Sequence, residues 1–223
     1  MTLTTTSSVV SATENTRQTV TTPLTARFNC TDSTDLEFVT GTPTSPNLVL
    51  NDQLRAADGS IGGLGIAPGL APISLRLRPD QDSGSQARSA LEQSLVQAFR
   101  GSVPLPTEPI GPGATWRTER TISAAATVVQ TIDARLVEWT GDRVRVAFTV
   151  DESPVNSVFA IPGGNATLSI ARYSYGGSGE MTIDLTRGLP VSGSARMRGA
   201  RELVGGDPAQ PLLQQIGFEF SWR

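Results

Sequence analysis

From Thr115 to the C-terminus, apolar and polar residues alternate with a period of two, and this constrains the fold more than any other feature of the chain. Ile132, Ala134 and Leu136 alternate with Asp133 and Arg135, and Val144, Val146, Phe148 and Val150 alternate with Arg143, Arg145 and Thr149. Leu168 and Ile170 lie between Thr167, Ser169 and Ala171. Met181, Ile183 and Leu185 lie between Glu180, Thr182, Asp184 and Thr186. Val191 to Met197 and Ile216, Phe218, Phe220 and Trp222 close the series. Successive strand side chains point to opposite faces, so each run has one wet and one buried face, the pattern of antiparallel sheet. Turn residues separate the runs: Thr140-Gly141-Asp142, Gly176 to Gly179 and Arg187-Gly188 as tight hairpins, Pro162-Gly163-Gly164-Asn165 as a longer one.

Upstream of this region one helix is predicted over about 86–100. There Ala87, Ala90, Leu91, Leu95, Ala98 and Phe99 recur at three and four residues and form one apolar stripe. Asp80, Asp82, Ser83 and Ser85 are positioned to cap its start, and Gly101 ends it. Residues 103–113, with four spaced prolines, form a stiff extended crossover. A sheet that is wet on one side must curl or be covered. The expected fold is therefore mainly β: a bent antiparallel sheet or half-barrel with one amphipathic helix at about 86–100 on its concave face. Earlier in the chain, Leu24 to Cys30 and Leu36 to Val39 read as a hairpin, Asn47 to Leu50 as a third short strand, and Ile73 to Arg78 as an alternating strand. Gly59 to Gly69 reads as too glycine-rich for a regular element. Residues 1–22, dominated by Thr and Ser, read as a disordered tether, and 23–223 as a single β domain.

Composition removes most reaction chemistry. All 18 basic residues are Arg and there is no His, which excludes Schiff-base catalysis, the P-loop lysine, His-based triads and His-ligated metals. Cys30 is the only cysteine, so it forms no intramolecular disulfide or thiolate zinc site and reads as a buried strand residue. The net charge of -3 and the dispersed arginines argue against nucleic acid as a partner. No stretch approaches the ~20 apolar residues of a membrane span. Asp80-Gln81-Asp82-Ser83-Gly84 opens like a calcium loop, but Leu91 stands where the closing carboxylate would be, so helix capping is the better account. Gly62-Gly63-Leu64-Gly65 reads as a loop rather than a phosphate cradle. Carboxylates such as Asp133, Glu138, Asp151, Glu152, Glu180 and Asp184 suit a solvated strand face better than a glycosidase pair. Asn29-Cys30-Thr31 and Asn165-Ala166-Thr167 match the short glycosylation motif.

The stretch from Leu105 to Arg117, with Gly111, Gly113 and Trp116, resembles the proline-rich lead-in to a Gly-x-Gly-x-x-Trp strand in an uncharacterised group of secreted or lipid-anchored actinobacterial proteins. Gly177 to Leu185 followed by Gly188-Leu189-Pro190 is similar to the same group's glycine turn and strand. The resemblance covers about residues 86 to 223 and implies an extracytoplasmic location, but lends no reaction, cofactor or catalytic residue. A helix on a bent antiparallel sheet also resembles the lipoprotein-carrier architecture, in which an apolar cavity lies between sheet and helix. That analogy implies a lipid or other apolar ligand, or an envelope-protein partner, with Leu91, Leu95, Phe99, Tyr173 and Tyr175 as expected lining. The alternative expectation is a structural or interaction module displayed on a cell surface or particle. No cofactor or metal is expected in either case.

Overall fold

The fold is given by a computed structural model, which describes residues 1–28, 35–161, 164, 166–205, 207 and 209–223. In chain order the elements are β1 (Thr2–Val10), β2 (Asn15–Phe28), β3 (Asp35–Thr40), α1 (Leu48–Leu54), β4 (Ile61–Ala67), β5 (Ala71–Arg78) and α2 (Ser85–Arg100). There follow β6 (Thr115–Ser123), β7 (Thr127–Thr140), β8 (Arg143–Pro154), β9 (Val158–Ala160), β10 (Thr167–Asp184), β11 (Leu189–Val204) and β12 (Leu212–Trp222). They form one 12-stranded sheet of order β5-β4-β3-β2-β1-β12-β11-β10-β8-β7-β6, with β9 paired to β10 off this path. Every strand pair is antiparallel. The sheet is open, with β5 and β6 as its two edges.

The predicted helix is α2, and its apolar stripe is the one that is buried: Ala87, Ala90, Leu91, Leu95, Ala98 and Phe99. It lies on the concave face, where Phe99 sits between Phe38 of β3 and Trp222 of β12, with ring centroids 6.4 and 6.3 Å away. Burying each such aromatic side chain is worth roughly 1.5–3 kcal/mol, so the helix and both halves of the sheet share one core. The β7–β8 hairpin closes as the alternation predicts: Thr140 pairs with Arg143 across Gly141-Asp142, and Gly141 has the positive φ of 58° such a turn needs. Arg187-Gly188 likewise turns β10 into β11, with Gly188 at φ 67°. The predicted pairing of the Leu24 and Leu36 segments is the β2–β3 pair.

Five readings of the sequence need correction. Residues 1–22 are not a tether: β1 pairs with both β2 and β12, and its inward residues Leu3 and Thr5 are buried. Asn47 to Leu50 is not a strand. Asn47 is the N-cap of α1, its side chain accepting from Leu50 N, while Leu50 and Leu54, four residues apart, pack on Val20, Ala87 and Ala90. The glycines after Gly59 lie in β4, where Gly62 faces Phe38 so closely that a Cβ would stand 2.0 Å from its ring. The N-cap of α2 is Gly84, with no side-chain cap; Asp80 instead accepts from Asp82 N, and Ser83 Oγ donates to Ala56 O. Finally, Gly176 to Gly179 is the middle of β10 rather than a turn. Cys30 and both glycosylation motifs' asparagines lie outside the described residues, as does most of the turn at 162–165.

The β10 glycines are there for backbone proximity. A Cβ on Gly177 would stand 2.0 Å from Arg196 O, and one on Gly199 of β11 would stand 1.8 Å from Ser174 O. Gly177→Ala is therefore expected to destabilise by about 2 kcal/mol through overpacking. Gly111→Ala, where an added Cβ meets nothing within 4 Å, is the control. Urea-unfolding midpoints of the two variants decide the matter, and equal midpoints would contradict the close approach.

Candidate functional site

After α2 the chain returns to the start of β6 along the proline-rich segment, and three anchors fix it. Leu105 N donates to Gly69 O at 2.7 Å, Trp116 Nε1 to Pro104 O at 2.8 Å, and Gly113 N to Leu136 O at 2.8 Å. Gly69 and Leu70 turn β4 into β5 with φ of 75° and 58°. A Cβ on Gly69 would stand 2.0 Å from Leu105 O, so only glycine lets the crossover seat here. The crossover thus roofs one end of the half-barrel, and beneath it lies a cavity of about 550 Å³. Phe28 of β2, Leu70, Leu105, Ile110, Leu136 of β7 and Leu185 give it apolar walls, and Trp139 stands at its rim, 46% exposed. Glu108 is the one ionisable side chain among those that line it. The volume falls within the ~300–1,000 Å³ of small-molecule sites, and such sites are mostly apolar.

None of the residues expected from the sequence to line a pocket lines this cavity. Leu91 and Leu95 are fully buried and Phe99 nearly so, all packed into the core between helix and sheet. Tyr173 and Tyr175 share the concave side of β10, where they belong to a row of polar residues crossing four strands. Arg120 pairs with Gln130, Gln130 with Glu152, and Glu152 with Tyr175 in direct cross-strand register. Arg120 donates through Nε to Gln130 Oε1 at 2.8 Å, Gln130 Nε2 donates to Glu152 Oε1 at 2.8 Å, and Tyr173 OH to Glu152 Oε2 at 3.0 Å. Arg120 Nη2 also donates to the carbonyls of Arg100 and Ser102, at the C-terminal end of α2. Burial lowers the Arg120 pKa to about 10, and the adjacent Arg100 pushes the same way. Burial, followed by the Glu152 charge, raises both tyrosine phenols. Further along, Arg201 lies over the Phe159 ring, 4.3 Å from its centroid.

Sequence reasoning passed over Arg120 and Gln130 and placed Glu152 on a solvated strand face, whereas Glu152 is buried; a signal for all three exists. Gln130 stands at the inward parity of Val128 and Ile132, and Glu152 at that of Phe148 and Val150. A polar side chain at a buried register position needs a partner. Here each supplies the next.

Beside the cavity, Asp184 ends β10 and organises the turn into β11. Its Oδ1 accepts from Thr186 Oγ1 at 2.6 Å and Thr186 N at 3.0 Å, and Arg187 and Arg143 lie 3.7 and 3.9 Å from Oδ2. The Thr186 hydroxyl first, then its amide and the two guanidinium groups, hold the Asp184 carboxyl below its ordinary range. The folded state therefore binds this proton less readily than the unfolded chain. The stabilisation is present above the ordinary Asp value of ~3.9 and is lost as pH falls through the folded-state value. Asp184→Asn is expected to lower the urea midpoint at neutral pH and to converge on the wild type in acid. A constant difference at both pH values would refute this.

No family model matches the sequence, and no curated protein matches it. Among the described residues no helix is long and apolar enough to cross a membrane.

Proposed function

We propose that this protein is a non-enzymatic, extracytoplasmic binder of an apolar or amphiphilic ligand, held in the cavity under the proline-rich crossover. The observation that carries the reading is the cavity itself: about 550 Å³ with almost wholly apolar walls. An apolar space of that size exposed to solvent forfeits hydrophobic stabilisation, which a ligand would restore. The absence of Lys and His supports a binding rather than a catalytic role. The extracytoplasmic location rests on the resemblance of residues 86 to 223 to secreted actinobacterial proteins. The interaction-module alternative has less support, because the edge strand β5 carries Pro72, Arg76 and Arg78, which discourage strand addition.

The test uses the neutral fluorophore N-phenyl-1-naphthylamine. Leu185 is half-buried at the cavity wall, so Leu185→Trp fills the space without displacing the core. The wild type is expected to bind the probe with quenching of Trp139. Leu185→Trp is expected to weaken binding by at least about tenfold, or ~1.4 kcal/mol, with its unfolding midpoint little changed. A wild type that fails to bind, or a variant that binds equally well, rejects the cavity as the ligand site.

A further inference from the structure

The seam between the two edge strands holds a second site of different character. A groove of about 420 Å³ runs between β5 and β6, with α2 as its floor. Leu64, Leu75, Val96, Phe99 and Ile122 give it an apolar surface, and Arg100 and Arg120 stand together on it. Arg120 spends Nε and Nη2 on Gln130 and on two main-chain carbonyls, all neutral acceptors. Among the described residues the Arg100 side chain has no hydrogen-bond partner, and its Nε is buried. Among the described residues neither guanidinium has a carboxylate in ion-pair contact. Glu152, the nearest acid in the row, already has both oxygens occupied by Gln130 and Tyr173. Two cations set against one carboxylate leave one positive charge uncompensated in a partly desolvated place, where charges are costly unless paired. The mutual repulsion of the pair is part of what depresses Arg120. Protection of an open edge accounts for outward arginines such as Arg76 and Arg78. It does not account for Arg120, which faces inward.

We propose that this seam binds a monoanionic single-chain amphiphile, its head group on Arg100 and Arg120 and its chain along Val96, Phe99 and Ile122. The missing negative charge selects the head, and the apolar groove selects the tail. This site is separate from the cavity under the crossover, whose lining holds no cation.

Titration calorimetry with decanoate, 1-decanol and acetate at pH 8 tests the proposal. The wild type is expected to bind decanoate at least about tenfold more tightly than decanol, and acetate is expected not to displace decanoate. Arg100→Met, which keeps the apolar stem, is expected to abolish the preference for the acid, and Arg100→Lys to keep part of it. Ile122→Glu, which supplies the missing charge from the protein, is expected to abolish it independently. Leu185→Trp is expected to leave the acid-to-alcohol ratio unchanged, which separates this site from the crossover cavity. Equal affinity for acid and alcohol in the wild type would overturn the proposal. So would a preference that survives in folded Arg100→Met, full displacement by acetate, or loss of the preference in Leu185→Trp.

Discussion

A chain shortened to residues 23–223 is expected not to fold cooperatively. β1 lies in the middle of the sheet, hydrogen-bonded to β2 from Thr2↔Pro23 to Val10↔Asn15 and to β12 from Leu3↔Trp222 to Val10↔Gln215. Its removal, with the first part of β2, separates β3-β4-β5 from the large block running from β12 to β6. Leu3, Val20 and Thr22 leave the buried face, and Ser94 of α2 loses the Thr5 hydroxyl 2.7 Å away. β12 becomes an exposed edge. Domains of this size have total stabilities of roughly 5–15 kcal/mol, and the loss of a central strand with its core residues exceeds that margin. Guanidinium unfolding followed by circular dichroism is expected to show no single sharp transition. A sharp transition at the full-length midpoint would restore the reading of residues 1–22 as a tether.

That hairpin was illegible in the sequence for a definite physical reason. The strands after Thr115 advertise themselves because Val, Ile or Leu faces the core while Arg, Asp or Thr faces water. In β1 and β2, threonine serves both faces. Thr5 and Thr22 are buried, while Thr4 and Thr6 pair outward with Thr21 and Thr19 through hydroxyls 3.1 and 2.9 Å apart. The period is two, but polarity does not record it. Only the β-branched side chain, which suits a strand, gave a hint. The glycines of β10 misled in the opposite direction, because a glycine that makes room for a neighbouring backbone reads like one that makes a turn. The cavity posed a third difficulty. Its walls come from Phe28, Leu70, Leu105, Leu136 and Leu185, far apart in the chain and chemically ordinary. The proline spacing located the crossover but could not show what it roofs. Leu91, Leu95 and Phe99 were legible as the apolar stripe of α2 and were expected to line a pocket; that stripe packs into the core instead.

Arg120→Met is expected to destabilise the fold by about 3 kcal/mol, through the buried polar groups it leaves unpaired. Replacing the whole row, Arg120→Met with Gln130→Leu and Glu152→Met, is expected to recover most of that loss. The asymmetry follows from where the hydrogen bonds run. Removing Arg120 alone leaves Gln130 Oε1 without its donor and withdraws the guanidinium from the carbonyls of Arg100 and Ser102. It also takes from Glu152, which lies in the same row and is 9% exposed, one of the two positive charges set against it. A buried polar group left unpaired costs ~1–3 kcal/mol, more when charged. In the triple variant the groups left are the Tyr173 hydroxyl, which is half-buried and can turn to water, the helix-end carbonyls, and Arg100, whose Nε is buried without a partner in the wild type as well. The burial that lowers the Arg120 pKa to about 10 is itself a cost that the triple variant escapes. Arg120 also ties the root of the crossover to the sheet, so the single variant is expected to loosen the cavity roof. Hydrogen exchange at Leu105 N, which donates to Gly69 O, should then rise more in Arg120→Met than in Gly177→Ala. If the triple variant proves less stable than the single one, the row contributes net stability and the ladder is not a compensated cost.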